Sequence, residues 1–433
     1  MLFRSAEHRS DFPGVQAEPV AIRRYPNAAT AAHLLGYTGE INAEELASSP
    51  ASARYALGDD IGKAGIEQTF ERELRGRPGR TVYEVDAAGH VLRTVERVPA
   101  RPGHDVQLTV DLGIQRVTEA ALAQGLESAR LQRDTTRRDK FVNLAAPAGA
   151  VVVIDVTDGS VVALASNPTF DPNEFINGIP TTRWRELNDP ANHYPLLDRA
   201  VSGQYAPGST FKLISAVAGL RAGLISPNTT INDTGKYKIS DQTFTNAESE
   251  AFGRISLQRA ITVSSDVYFY TIGGTLWPKQ RRREAGADVI QETARLYGFG
   301  RASGIALPNE AVGRVPDAAW KQRIHDANPQ AFPYPDWLPG DNVQLAVGQG
   351  DMLVTPLQLA MAYQAFASGG RLASPRIVAR VFAADGRVLR EIPAKDAGRV
   401  PVPARDTMVA GFAGVVSAKG GTATGSRSEE HTS

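Results

Sequence analysis

Tyr205-Ala-Pro-Gly-Ser-Thr-Phe-Lys-Leu-Ile-Ser-Ala216 is the stretch on which the reading of this chain turns. Pro207-Gly208 is a turn signal, and the apolar run Phe211–Leu220 has helical spacing, so Ser209 is predicted to start a helix. Three residues along a helix return to nearly the same face, which sets Lys212 beside Ser209. Backbone N–H groups at a helix start have no partners within the helix. They are suited to stabilise an oxyanion formed on a substrate carbonyl. Lys212 must be neutral to act as a base, and bringing a lysine into use near neutral pH costs about 4 kcal/mol. A helix N-terminus supplies only about 1–2 kcal/mol of that. Burial and a nearby second cation are expected to supply the rest. The plain alternative is a helix-capping serine followed by a solvated lysine. Against it, Ser209 is the only serine in the chain with a lysine three residues later.

A second element is Ser264-Ser265-Asp266, inside the apolar helical stretch Leu257–Tyr270. A serine and a carboxylate two residues apart, where a helix gives way to a loop, would point into a cleft. Ser264 is then the candidate proton relay between Lys212 and a leaving amine. Alone the triplet is an ordinary polar helix turn; paired with Ser-x-x-Lys it is informative.

Upstream, Ala148–Asp155 and Val161–Ser166 read as two paired strands with Gly159 in the turn between them. Strands followed by helices predict an α+β layer on an antiparallel sheet. After Ser209 the chain reads as mainly helical, with Val289–Tyr297 and Pro356–Ala367 as further helices and Asn342–Gly350 as a loop. Asp105–Val110 reads as a strand. Asp111 then caps a helix whose apolar positions include Ile114, Val117, Ala121 and Leu122, and which runs towards Arg133. Arg130–Lys140 is a charged, solvated connector. The first hundred residues are rich in turn signals. Thr81–Val85 and His90–Val95 form a predicted hairpin about Asp86–Gly89.

The totals narrow the function. Lysine plus arginine and aspartate plus glutamate both number 47 in 433 residues, a balance that argues against nucleic-acid binding through bulk basicity. The absence of cysteine excludes disulfides, cysteine-ligated zinc and thiol catalysis. No apolar run approaches the roughly 20 residues that span a bilayer. Met1–Ser10 is charged and polar, so it is not a signal peptide.

The chain resembles the penicillin-binding protein and serine β-lactamase superfamily, and more closely the class B penicillin-binding proteins of the penicillin-binding protein 2 type. Gly62-Lys-Ala-Gly-Ile-Glu67, Leu74-Arg-Gly76 and Glu84-Val-Asp86 match that family's pedestal. Leu108-Thr-Val-Asp111 with Gln115 matches its entry to the transpeptidase domain. Ser166-Asn-Pro-Thr-Phe-Asp-Pro-Asn173, Gly208-Ser-Thr-Phe-Lys212, and Gly348-Gln-Gly350 with Thr355-Pro-Leu-Gln358 match the catalytic domain. The resemblance implies a pedestal (dimerisation-like) module over 6–103 and a linker strand and helix over 104–144. It implies a serine β-lactamase/transpeptidase-like domain over 145–426, with helices packed on an antiparallel sheet.

It also implies a D,D-transpeptidase of cell elongation that crosslinks peptidoglycan stem peptides and is acylated by β-lactams. Ser209 would be the nucleophile, Lys212 the base, Ser264 the relay and Asp266 the group that orients them. The implied partners are a membrane glycosyltransferase and elongation-complex proteins, met through the pedestal. The implied location is the bacterial inner membrane with periplasmic domains. No cofactor is expected. Some members carry a zinc between the two motifs, but residues 194–324 contain neither histidine nor cysteine, so none is expected here.

The family's third motif, Lys-Thr-Gly or Lys-Ser-Gly on an edge strand, does not occur. Lys419-Gly-Gly-Thr-Ala423 is a poor substitute, because Gly420-Gly421 reads as the stop of a helix over Thr407–Val416. Met1–Ser5 and Arg427–Ser433 match frames of a sequencing-library adapter, so residues 1–5 and 427–433 are expected to be adapter-derived and the chain to be an incomplete fragment. On that expectation it folds poorly and acylates little. Rival readings are a serine β-lactamase, a β-lactam-binding sensor and a non-catalytic elongation scaffold. The first two lack this pedestal, and the third predicts that Ser209→Ala leaves cell shape intact.

Overall fold

The computed structural model describes residues 22–50, 55–87, 90–134, 141–282 and 284–424. The expected adapter-derived ends and part of the charged connector lie outside them. The N-terminal module is built around a short helix α1 (Ala32–Leu35), paired strands β1 (Thr38–Glu40) and β2 (Asp60–Gly62), and helix α2 (Gly65–Thr69). Gly65 explains part of the module's motif. Its φ is +56°, and a Cβ there would lie 2.5 Å from the Leu34 carbonyl oxygen, so only glycine lets α1 and α2 approach. Strands β3 (Arg80–Val85) and β4 (Val91–Val98) form the predicted hairpin, exposed along its length. Cross-strand ion pairs Arg93–Glu84 at 2.6 Å and Arg80–Glu96 at 2.9 Å join its strands.

Strand β5 (Asp105–Leu108) leads to helix α3 (Leu112–Arg130). Asp111 caps α3 as predicted, accepting from the Ile114 N–H at 2.9 Å. The buried stripe differs from the predicted one. Gln115 and Thr118 are buried, whereas Ile114 and Val117 are exposed, Val117 by 70%. The reason lies in the sheet. Strands β6 (Gly149–Ile154) and β7 (Val161–Asn167) pair antiparallel, as expected. The outer edge of β7 is buried, and its backbone groups need partners. Gln115 supplies them, donating to the Leu164 carbonyl and accepting from the Leu164 N–H, both at 2.8 Å. The Asp111 N–H and the Thr109 hydroxyl serve Val162 and Val161 in the same way. Hydrogen-bond demand outweighs apolar periodicity here.

The rest of the chain is largely helical. Helix α4 (Lys212–Arg221) follows a single 3₁₀ turn, Gly208–Phe211. Strands β8 (Ile231–Asp233) and β9 (Gly253–Ile255) pair before α5 (Leu257–Thr262) and α6 (Asp266–Arg282). Then come α7 (Val289–Leu296), α8 (Ala318–Ala327), α9 (Pro339–Leu345), α10 (Pro356–Ala367) and α11 (Arg405–Ser417).

Two expectations are corrected. Leu257–Tyr270 is two helices broken at Val263–Ser265. Asn342–Leu345 is helical rather than loop, because Pro339 sits in the first turn of α9 and Asp341 accepts from the Leu338 N–H at 2.6 Å. Strands β10 (Val378–Phe382) and β11 (Val388–Glu391) add to β5 in a three-stranded sheet that the helical reading missed. α11 ends at Ser417, and Gly420 has a φ of +72°, so Lys419 lies at a helix stop rather than on a strand.

One apolar core includes Phe211, Leu213, Val217, Tyr268, Phe269 and Leu357, and continues into Ala31, Leu34 and Ile66 of the N-terminal module. Full burial of a side chain such as Phe211 contributes about 1.5–3 kcal/mol. The module is also pinned by polar contacts: the Ala31 N–H donates to Glu119 at 2.7 Å, and Tyr25 and Asn173 exchange two bonds at 3.0 and 2.8 Å.

Candidate active site

Ser209 lies in the 3₁₀ turn ahead of α4, rather than in the helix itself, and is exposed. The turn is held from below. The Gly208 N–H donates to the Gly348 carbonyl at 2.9 Å, the Tyr363 hydroxyl donates to the Thr210 carbonyl at 2.9 Å, and the Ser215 hydroxyl donates to the Ala346 carbonyl at 2.7 Å. Gly348 must be glycine. Its φ is +67°, and a Cβ would fall 2.4 Å from the Gly208 carbonyl oxygen and 2.5 Å from the Phe211 Cβ. Gly348-Gln-Gly350 therefore acts as the floor of the Ser209 turn. Of the N–H groups expected at this start, that of Gly208 is already engaged by the floor.

Lys212 is buried, and its ammonium meets three oxygens. It donates to the Ser264 carbonyl at 2.7 Å and the Ser264 Oγ at 3.0 Å, and pairs with Asp266 Oδ1 at 2.6 Å. An ammonium has three donors, so this set saturates it. Ser209 is not among its partners. The Phe269 ring covers the site, with its centroid 5.6 Å from Nζ. Burial pushes the Lys212 ammonium below its ordinary pKa, while the Asp266 carboxylate, and to a lesser degree Asp233, pull it back up. The expected burial is present. The charged groups acting on Lys212 are both carboxylates, and a second cation is not one of them.

The helix break that presents Ser264 is built by residues the sequence reading missed. Ser265 is fully buried; its hydroxyl donates to Asp233 Oδ2 at 2.5 Å and accepts from the Tyr268 N–H at 3.1 Å. Asp233 also accepts from the Gly235 N–H at 2.7 Å and from Asn246 Nδ2 at 2.9 Å, and Asn246 Oδ1 accepts from the Val267 N–H at 2.9 Å. This network ends α5 and starts α6 at fixed positions. Asp266, in the first turn of α6, and Ser264 thereby converge on one ammonium. Neither Asp233 nor Asn246 belongs to a recognisable motif, and only the Ser-x-Asp triplet they support was visible. Among the described residues, no group of three or more His, Cys, Asp or Glu is placed to hold a metal ion.

Ser264 has a φ of +53°, a conformation that costs an L-residue about 1–2 kcal/mol. Ser264→Gly should therefore leave the melting temperature unchanged or raised. It should lower the acylation rate about 10²-fold or more through loss of the hydroxyl. Thermal denaturation and acylation kinetics on the same sample check this, and an unchanged rate would remove Ser264 from the chemistry.

An exposed serine, a buried lysine one turn on and a serine–carboxylate pair bonded to that lysine are an arrangement suited to serine acyl transfer. Residues 149–432 match the penicillin binding protein transpeptidase domain, and residues 1–108 the penicillin-binding protein dimerisation domain. The chain belongs to the penicillin-binding protein transpeptidase family. It is 33% identical over 390 residues to the peptidoglycan D,D-transpeptidase MrdA of Acinetobacter baumannii, covering 90% of this chain and 52% of that protein. Its fold is similar to penicillin-binding protein 2 of Helicobacter pylori solved in complex with MreC, with a TM-score of 0.75 and 29% identity, over 98% of this chain and 70% of that one. A chain of a peptidoglycan synthase complex that coordinates polymerization and crosslinking matches with a TM-score of 0.77 and 30% identity, over 96% of this chain and 66% of that one. The chain spans about half the length of the curated relatives it matches. The expected fold class, a transpeptidase-like α+β domain preceded by a pedestal module, is borne out.

Proposed function

We propose that this chain carries the acylating site of a peptidoglycan D,D-transpeptidase of cell elongation, with Ser209 as nucleophile, Lys212 as base, Ser264 as proton relay and Asp266 as the group that orients Lys212. The observation that carries the proposal is the convergence of Ser264 and Asp266 on the buried Lys212 ammonium, one turn from an exposed serine.

In the proposed reaction, neutral Lys212 takes the Ser209 proton as Oγ attacks the penultimate D-alanine carbonyl of a stem peptide. The tetrahedral oxyanion collapses, the C–N bond breaks, and the leaving D-alanine amine receives the proton by way of Lys212 and Ser264. The amino group of a neighbouring strand then attacks the ester, forming the crosslink and returning the proton to Ser209. A β-lactam follows the first half of this path, but its leaving amine stays tethered, so the ester persists. The Lys212 ammonium has all three donors engaged, the arrangement of its protonated form, and the proposed reaction begins once that proton has left.

The N-terminal module is the proposed contact for elongation partners, in keeping with the relative solved with MreC, and a membrane glycosyltransferase is the proposed second partner. The proposed setting is the periplasmic face of the bacterial inner membrane. No helix among the described residues is long and apolar enough to cross a membrane.

The test is covalent labelling with a fluorescent penicillin, followed by proteolysis and mass spectrometry. It is run on the chain itself and on the chain extended by the downstream segment of the A. baumannii relative. Slow labelling of the chain and faster labelling of the extended form, both on the Ser209 peptide, are expected. An adduct on another residue, or none in either form, overturns the proposal.

A further inference from the structure

Away from Ser209, two clefts meet at one side chain. The first, of about 430 Å³, is lined by Arg295, Arg314 and Arg323 together with Asp317 and Trp320. The second, of about 630 Å³, is lined by Arg221, Arg295, Arg301 and Arg399, with Leu296, Leu372 and a single acid, Glu292. Arg295 faces both. The pair of clefts thus gathers six arginines against two carboxylates, on a chain whose formal net charge is zero.

Three of these arginines are fixed by their own contacts. Arg295 pairs with Asp317. Arg314 donates from Nε to the Asp351 carbonyl at 2.6 Å and lies 4.8 Å from the Trp320 ring centroid. Arg221 donates to the Thr293 hydroxyl at 2.6 Å. The side chains of Arg301, Arg323 and Arg399 make no hydrogen bond or ion pair among the described residues. The usual fate of a surface arginine is a solvated face. Here the unpaired guanidinium groups line concave walls beside fixed ones, where a shared field concentrates anions.

The chemistry of the lining narrows the ligand. Guanidinium forks match carboxylates in a bidentate fashion. Glu292, which has no partner of its own among the described residues, accommodates an amine on the same ligand. The indole and leucines accommodate aliphatic side chains. A ligand with carboxylates, an amine and short apolar side chains is a peptide, and the stem peptide of the proposed reaction has all three.

The first cleft is also joined to the nucleophile. Gln204 and Leu353 belong to its wall. The next residues, Tyr205 and Val354, exchange backbone hydrogen bonds at 2.9 Å, and Leu353 and Arg314 do so at 2.7 and 3.0 Å. Cleft wall, floor turn and nucleophile turn are one continuous ribbon.

We propose that the two arginine-lined clefts joined at Arg295 form a binding site for the carboxylate-bearing peptide of a second peptidoglycan strand, apart from the acylation centre. The identity of the ligand rests on the proposed transpeptidase function; the preference for a carboxylate ligand rests on the clefts alone.

The test is calorimetric titration of this chain with a soluble disaccharide-tetrapeptide, with the same muropeptide after amidation of its carboxyl groups, and with inorganic pyrophosphate. Saturable muropeptide binding is expected, weakened about tenfold or more by amidation and by Arg301→Ala combined with Arg323→Ala. Both arginines are exposed, and an Arg301→Gln, Arg323→Gln form that keeps side-chain bulk should weaken binding similarly. Undiminished binding by both variants, tighter binding of pyrophosphate than of muropeptide, or no binding overturns the proposal. Ser209→Ala should bind as the parent chain does, so binding without any Ser209 adduct would sink the acylation reading and leave this one standing. An adduct without binding would do the reverse.

Discussion

Replacing Lys212 with alanine should slow penicillin acylation of Ser209 in the extended protein by about 10³-fold or more, and Ser209→Ala should abolish it. The size of the effect follows from isolation. Lys212 is buried beneath Phe269, and the other groups around its ammonium are Ser264 and Asp266, neither of which is basic enough to deprotonate an alcohol alone. The sign of the pH dependence follows as well. In the proposed reaction acylation needs the neutral amine, so the rate should rise as pH climbs through the Lys212 pKa. Burial lowers that pKa and Asp266 is the largest influence raising it. Asp266→Asn should therefore move the rise to lower pH. Rates of labelling measured across pH for the parent and Asp266→Asn check this, and a rise that stays in place would mean that another group titrates.

Asp233→Ala should destabilise the fold by about 3–5 kcal/mol, read as a lowered denaturation midpoint. Asp233 is 1% exposed and accepts from Gly235, Asn246 and Ser265. Its loss leaves the buried Ser265 hydroxyl without an acceptor and takes one of the two acceptors of Asn246 Nδ2, which keeps the Glu250 carbonyl at 2.7 Å, and water has little access to replace it. The same loss frees the break between α5 and α6, so Ser264 and Asp266 should lose their positions together. Unchanged stability would show that the network is a bystander. Asp233→Asn, which keeps one acceptor oxygen, should cost less than the alanine.

The parts of this molecule that were legible in sequence are those where one local signal has one physical meaning. Ser209 and Lys212 follow a Pro-Gly turn at helical spacing, Asp111 stands at a capping position, and Val151–Val153 form an apolar run too short for anything but a strand. Gly348 was visible as a motif residue, but its role as the floor of the serine's turn depends on Gly208 and Phe211 from a distant segment. Asp233 and Asn246 were invisible for the same reason, since a buried carboxylate that organises a helix break is recognisable only by what it bonds. Gln115 misled the helix reading more instructively. Apolar periodicity placed Ile114 and Val117 inward, whereas the unpaired backbone of β7 required a polar side chain there. Strand β10 was missed because its pairing with β5 joins distant segments of the chain, and β11 is held only through its pairing with β10.

The Gln115 side chain has one more consequence. By closing the outer edge of β7 with an amide, together with the Thr109 and Asp111 contacts, α3 and its lead-in turn that edge into a terminus where no strand can be added. β6, paired only with β7 among the described residues, keeps its far edge open. The sheet therefore has a direction of growth. Whatever strand extends it, from this chain or another, must be laid down beside Gly149–Ile154.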